Sequence, residues 1–172
     1  MSIPNLKFNT TLLVSTVTIG FVFNCLAVFL PQWLMVKMNP MALPKGLGVL
    51  PFPSWHEPTY YRVSAGIMII SFCLYALLVG CLAFALVFSK LKKPLLAQIG
   101  YGLIVILCVP IFVLELYAAT LTFSDFNVDL IGYDTAPGAC PSLAVISALC
   151  LFLTLPISVF LCRGYNKERK IK

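Results

Sequence analysis

The stretch VSAGIMIISFCLYALLVGCLAFALVF, residues 63–88, contains no charged residue. A helix rises about 1.5 Å per residue, so about 20 apolar residues are enough to cross the hydrocarbon core of a bilayer. Because lipid offers the backbone no hydrogen-bond partner, a segment inside the core must be helical or belong to a closed barrel. The stretch therefore predicts a membrane-spanning helix.

Three further long apolar stretches have the same character, although one of them contains a single acidic residue, and the predicted spans are residues 11–30, 63–88, 95–122 and 142–162. Of the 172 residues, 60% are hydrophobic and 10% are charged, whereas a soluble domain carries roughly 25% charged residues. The sequence therefore predicts an all-α membrane protein, a four-transmembrane-helix up-down-up-down bundle that forms one domain over residues 1–172. The same composition argues against a soluble nucleic-acid-binding protein.

Basic residues predict which end of the bundle faces the cytoplasm. Of the 12 Lys and Arg residues, one lies at the N-terminus, three in the turn at 90–93 and five in the tail at 163–172. The two outer loops, residues 31–62 and 123–141, hold the other three. This asymmetry predicts that both termini are cytoplasmic.

The cysteines give no sign of a disulfide or a metal site. Six of the 7 lie within or at the edge of predicted spans, Cys140 is the one expected in an outer loop, and no CxxC pair occurs. The cysteines within spans are expected to act as small apolar packing residues. Cys162 directly precedes Arg163 at the end of the last span, where reversible palmitoylation occurs. It is either a lipidation site or an unmodified boundary residue.

Glu115 is the one acidic residue inside a predicted span, and an intramembrane carboxyl group is a functional candidate by default. Three hypotheses remain open. The group is protonated or hydrogen-bonded to a neighbour such as Asn24, in a structural role. It pairs with Arg62 or with a base on a partner. Or it relays protons or binds a cation, which would normally need a second ionisable group that the spans do not offer.

The sequence contains no arrangement typical of an active site. The one histidine, His56, lies in the first outer loop, and neither a Ser/His/Asp set nor a HExxH motif occurs. We therefore predict no catalytic residue, no cofactor and no metal site, and a protein that is not an enzyme. A small multidrug-type transporter would also have four spans and one membrane carboxylate, but its loops would be shorter than the first outer loop here.

The order of spans and loops resembles the claudin superfamily, which includes the peripheral-myelin and stargazin-type proteins. Pro31-Gln32-Trp33 stands where the family has its Trp after the first span, and Arg62 resembles the Arg that opens the second span. Residues 117–127 are similar to the end of the claudin third span. Gly46-Leu47-Gly48 departs from the family's Gly-Leu-Trp, and the first loop lacks the family's two disulfide-forming cysteines. The resemblance implies a divergent member with a small β-containing first extracellular loop.

The resemblance also implies that Trp33, Gly46, Leu47 and Arg62 anchor the first loop to the bundle. The loop's aromatic residues, Trp55 among them, either sit at the membrane interface or form an exposed protein-binding surface.

Two functions follow from this resemblance. One is an accessory subunit that modulates the assembly, trafficking or gating of a larger channel or receptor. The alternative is a cell-junction protein that forms lateral and trans contacts. The expected partners are a larger integral membrane protein or copies of the chain itself, together with membrane lipids, and no nucleic acid. The expected location is the plasma membrane.

Overall fold

The computed structural model describes the backbone of residues 6–37, 45–50, 59–124 and 134–171, and the side chains of residues 8–35, 46–50, 59–123 and 137–164. The helices are α1 (Leu6–Phe29), α2 (Thr59–Lys90), α3 (Pro94–Ser124) and α4 (Cys140–Ile171). All of them are long and apolar enough to cross a membrane. The predicted bundle of four transmembrane helices is confirmed.

Each helix covers its predicted span to within one residue and continues beyond it at one or both ends. α1 begins at Leu6 rather than residue 11, and α4 runs to Ile171 through the segment predicted as a tail. The 32 residues of α2 measure about 48 Å, which exceeds the roughly 40–45 Å of a bilayer with its headgroups. The predicted spans are shorter because charged residues mark where the hydrocarbon core ends, whereas a helix can continue beyond that point.

Buried residues recur at alternating steps of three and four along every helix. On α3 the residues in this repeat are Ala97, Tyr101, Ile104, Cys108, Ile111, Glu115, Ala118 and Thr122. This spacing is typical of left-handed bundles, in which each buried side chain enters a gap between side chains of the facing helix. α3 packs against α2 and α4, and α1 packs mainly against α4. Phe21 of α1 stacks on Phe72 and makes a tilted ring contact with Tyr75 in the smaller seam between α1 and α2.

A Schellman motif ends α2 and turns the chain into α3. The amide of Lys93 donates to the Phe88 carbonyl at 3.0 Å, and that of Lys92 donates to the Ser89 carbonyl at 3.2 Å. Lys92 adopts the left-handed conformation that the motif needs, with φ 54°. Pro94 then occupies the first helical position, where its missing amide proton would have no partner in the helix. We call this end of the bundle the turn end.

Three short strands form an antiparallel sheet at the opposite end, the sheet end: β1 (Leu34–Lys37), β2 (Lys45–Leu47) and β3 (Asp134–Pro137). β1 lies in the middle, with Met35 opposite Gly46 on one side and Ala136 on the other. The expected strands of the first loop are therefore present. The second outer loop adds β3, which the sequence analysis did not predict. We call residues 33–37, 45–50 and 134–139 the cap.

Candidate functional site

The first candidate site is the cap, and Trp33 fixes it to the bundle. The side chain of Trp33 is fully buried, and its Nε1 donates to the Ala27 carbonyl in the last turn of α1. Its backbone amide donates to the Leu47 carbonyl at 2.8 Å, and its carbonyl accepts from the Gly138 amide at 3.1 Å. One residue therefore joins α1 to the segments that carry β2 and β3.

Glycines allow the cap to lie close to the end of α1. A Cβ atom at Gly46 would overlap the carbonyl oxygen of Pro31, and one at Gly48 would lie 2.7 Å from the Cα of Pro31. A Cβ at Gly138 would overlap the carbonyl of Gln32. The predicted role of Gly46 therefore has a physical basis, since only a residue without a side chain fits there.

Further contacts attach the cap to α2 and attach the segment just before the cap to α4. The Tyr61 hydroxyl in the first turn of α2 donates to the Gly48 carbonyl. At the start of α4, the Cys140 amide donates to the Gln32 carbonyl at 3.1 Å, and the Cys140 thiol contacts the Leu30 carbonyl at 3.4 Å. All seven cysteines are free thiols. The cap is therefore held by hydrogen bonds and burial rather than by a disulfide.

The structure brings together three of the predicted anchor residues. Trp33, Gly46 and Leu47 meet in the cap, where the partly buried Leu47 side chain packs on the same apolar cluster as Trp33. Arg62 lies in the first turn of α2, half-buried, and its Nη2 donates to Thr59 Oγ1 at 3.3 Å. Its neighbour Tyr61 makes the contact with the cap. Trp55 lies outside the described residues.

The second candidate site is a layer of four fully buried polar residues, one from each helix, which we call the polar layer: Asn24, Ser71, Glu115 and Ser147. The carboxyl oxygen Oε1 of Glu115 is its centre. Asn24 Nδ2 lies 2.6 Å from this oxygen, Ser147 Oγ 3.0 Å and Ser71 Oγ 3.3 Å. The predicted hydrogen bond between Glu115 and Asn24 is confirmed.

Glu115 does not meet Arg62. Ser71 contacts the carboxyl group and stands nine residues after Arg62 on the same helix, about 13 Å along its axis. The described residues bring no second carboxylate and no basic side chain into the polar layer. They also contain no cluster of three or more His, Cys, Asp or Glu that would hold a metal ion.

The polar layer divides the apolar interior into two clusters. Towards the turn end, Ile111 and Leu151 belong to one cluster; towards the sheet end, Ala118 and Ala144 belong to the other, which includes Trp33. Buried polar groups are costly unless they are hydrogen-bonded, so sliding one helix along the others would separate these partners at a cost. The layer therefore fixes the axial register of the helices, as a polar residue in the seam of a coiled coil does.

The hydroxyl proton of Ser147 can be donated to only one of its two neighbouring acceptors. Ser147 Oγ lies 3.0 Å from the Gly20 carbonyl as well as 3.0 Å from Glu115 Oε1, but a serine has one hydroxyl proton. It donates either to Gly20 or to Glu115. In the first case, a protonated Glu115 can donate to the serine. The other carboxyl oxygen, Oε2, has no hydrogen-bond partner among the described residues.

Cys162, the predicted lipidation site, faces the bundle. Its side chain is partly buried and packs on the cluster at the turn end, and its Sγ lies 3.8 Å from the Gln98 carbonyl oxygen. Palmitoylation stays a prediction, and it would require the thiol to leave α3.

Sequence reasoning missed Ser71 and Ser147, because single serines in an apolar span read as small packing residues. Their distances in sequence from buried neighbours, four residues to Tyr75 and four to Leu151, match the seam spacing of each helix. This regular spacing was the available signal, but it identifies a shared layer only once the helices are placed side by side.

Comparison with protein families matches residues 1–169 to a family described as tight junction protein, claudin-like. A comparison with curated proteins finds no match. The family match covers all four helices and the cap, so it applies to the whole fold rather than to one segment. The chain belongs to the claudin-like family.

Proposed function

We propose that this protein is a non-catalytic accessory subunit that binds laterally to a larger membrane protein, a channel or receptor, and modulates its assembly, trafficking or gating. Claudin-like proteins are a non-enzymatic family, so action through contact is the expectation. The observation that carries the proposal is a contrast among the described residues: the central side chain of the cap is buried, whereas the helix faces expose large apolar side chains.

The described part of the cap does not present its central side chain for binding across a gap between cells. Its strands contain three or four residues each, and its centre, Trp33, is buried against the bundle rather than presented outwards. The helices, by contrast, present large exposed apolar side chains along their whole length, such as Ile70, Ile106 and Phe152. Among the described residues, the larger apolar surface for a partner therefore lies within the membrane, where contact is lateral.

The anchoring of the cap favours a supporting rather than an adhesive role. Ala27 of α1 and Tyr61 of α2 bond to the cap, and Cys140 of α4 contacts the Leu30 carbonyl just before it. A cap fixed in this way keeps one orientation relative to the bundle. It can therefore rest against the extracellular part of a neighbour that the helices already contact.

The second candidate function is a cell-junction protein, and the description of the matching family supports it. Members of the claudin-like family self-associate and form junction contacts. Under this alternative, copies of the chain associate sideways and meet copies on the next cell.

Purification of the full chain from its native membrane in mild detergent distinguishes the two functions. We expect a particle of fixed stoichiometry that contains a larger multispan protein, identified by mass spectrometry. A ladder of self-oligomers with no other chain would contradict the accessory role, and freeze-fracture of expressing cells would then test for strands. Trp33→Ala, compared with the more conservative Trp33→Phe, tests whether the cap takes part in the capture.

We also propose that the protein lies in the plasma membrane and that its turn end faces the cytoplasm. The distribution of basic residues supports this orientation. An epitope placed before Met1 should be stained in permeabilised cells and remain unstained in intact cells. Staining of intact cells would reverse the orientation. Co-staining with a surface label tests the plasma membrane itself.

A further inference from the structure

A groove of about 380 Å³ lies on the membrane-facing side of the bundle, between α2 and α3. Its walls are apolar and include Ala76, Leu77, Gly80, Phe84, Ile99 and Leu103. The small residues Ala76 and Gly80 line the groove on α2. A Cβ atom added at Gly80 would meet nothing within 4 Å. We call this the α2–α3 groove.

The position of the groove relative to the bilayer follows from the charges on α2. Arg62 and Lys90 are 28 residues apart in sequence, about 42 Å along the helix axis, which matches the roughly 40–45 Å thickness of a bilayer with its headgroups. Lys90 therefore lies at the level of the headgroups. Phe84, six residues earlier, lies about 9 Å deeper, and Ala76 about 12 Å deeper still. The groove has the depth of lipid acyl chains.

Three exposed lysines of the turn, Lys90, Lys92 and Lys93, stand at the headgroup end of this groove. The sequence contains no acidic residue between Glu57 and Glu115 that could neutralise them locally. Lys92 holds a left-handed backbone conformation that glycine would adopt without strain. The turn therefore keeps a base where its backbone geometry favours a residue without a side chain.

We propose that the α2–α3 groove and the turn lysines bind one anionic phospholipid, with an acyl chain in the groove and the phosphate beside the lysines. Charge complementarity determines this occupant. A second copy of the chain, docked side by side through the same groove, would bring two sets of three lysines together, and like charges in one place repel. A zwitterionic lipid would fill the groove without neutralising the turn. The anionic lipid satisfies both the apolar and the basic part.

Native mass spectrometry of the full chain in dodecylmaltoside, with added palmitoyl-oleoyl phosphatidylserine or the matching phosphatidylcholine, tests the proposal. We expect one phosphatidylserine to stay bound in preference to phosphatidylcholine. Each turn lysine near the surface should contribute roughly a fivefold preference. Changing all three lysines to glutamine should abolish the preference while leaving residual binding of either lipid.

Gly80→Leu should fill the groove and weaken the binding of both lipids. Gly66→Leu is the matched control, because Gly66 also lies on α2 with nothing within 4 Å of an added Cβ, about 21 Å along the helix from Gly80 and about 15 Å from Ala76 at the near end of the groove. Circular dichroism and gel filtration establish that each variant is folded. Equal retention of the two lipids, or an unchanged preference in the glutamine variant, would overturn the proposal. A loss of self-association in Gly80→Leu with no change in lipid binding would instead make the groove an interface between copies.

Discussion

Glu115 gathers hydrogen bonds from three other helices on a single carboxyl oxygen. Because Asn24, Ser71 and Ser147 all contact Oε1, the contacts require an acceptor at that point and do not require a charge. A glutamine side chain provides the same acceptor with nearly the same shape, whereas leucine provides none.

Glu115→Gln should therefore leave thermal stability in detergent within a few degrees of the native chain. Glu115→Leu should lower it markedly, because each buried donor left without a partner costs about 1–3 kcal/mol. Gel filtration of the heated protein with fluorescence detection measures both variants. A glutamine variant as unstable as the leucine variant would show that the charge itself matters and would favour the proton or cation hypothesis.

Gly20, beside the polar layer, lies where α1 packs closely against α2 and α4. A Cβ there would overlap the Tyr75 hydroxyl and lie 2.9 Å from the Cβ of Cys150. We expect Gly20→Ala to destabilise the bundle by about 1–3 kcal/mol through overpacking. Gly66→Ala on α2, with open space around it, should instead stabilise its helix by about 0.5–1 kcal/mol. Equal melting temperatures for the two variants would contradict this packing.

At the scale of single residues, the sequence predicts a contact when a side chain needs a partner, and it misses a contact that depends only on how the helices are placed. A carboxyl group in a membrane span needs a partner, so Glu115 and Asn24 could be linked in advance. The serines of the layer have small hydroxyls that a helix can satisfy with its own backbone, so nothing in their identity indicates a contact with another helix. Arg62 was predicted as an anchor by resemblance, while Tyr61, one position earlier, makes the bond to the cap.

Among the elements, the cap depends on one side chain more than on its strands. Trp33→Ala should destabilise the fold by about 3–5 kcal/mol through loss of a large buried aromatic side chain, and we expect reduced surface expression. Trp33→Phe keeps most of the ring but loses the donor to Ala27, and should cost about 1 kcal/mol. Flow cytometry with a surface epitope measures the order native, Phe, Ala. Normal surface levels for the alanine variant would refute the anchoring role.

The turn between α2 and α3 contains a residue whose backbone is under strain. Lys92→Gly should stabilise the chain by about 1 kcal/mol, because the left-handed conformation costs roughly 1–2 kcal/mol in a residue with a Cβ and little in glycine. Unfolding in detergent at increasing temperature measures this gain, with Lys93→Gly as the control at a neighbouring position. A lower melting temperature for Lys92→Gly would contradict the assignment of strain.

The elements were predictable to different degrees. Long apolar segments predict the helices, because a segment that crosses the bilayer must be both long enough and apolar. The strand β3 has no such signal: Asp134–Pro137 ends in proline and contains no run of β-branched residues. It is extended because β1 offers a free edge beside it. Tertiary pairing, rather than local preference, produces this strand.

For the whole molecule, the alternating direction of the helices follows because consecutive spans must cross the membrane in opposite directions, but the arrangement of helices around the bundle does not follow from the sequence. That α1 packs mainly on α4 depends on which seams fit, and all four helices are apolar around most of their surface. Membership of the claudin-like family agrees with the layout that the resemblance implied. The sequence does not identify the partner, because a surface within the membrane is apolar whether lipid or protein covers it.

The fold as a whole contains seven free thiols and no cross-link between them. A reducing agent should therefore leave the melting temperature of the purified chain unchanged. Measurements with and without dithiothreitol, on the same sample, test this expectation, and a fall in the melting temperature on reduction would show that a disulfide contributes to the native fold.

The cap also has a consequence for the order in which the protein is made. Its central residue, Trp33, accepts a bond from Gly138, and Cys140, the first residue of α4, bonds to Gln32. These partners are separated by more than a hundred residues, so a ribosome has synthesised most of the chain before they exist. Trp33 can therefore bond to Ala27 and Leu47 early, but it lacks its contact with Gly138 until the chain beyond the third helix has been made. A nascent chain that stalls before its last helix has an unfinished cap that membrane chaperones can recognise, and closure of the cap marks the completed protein.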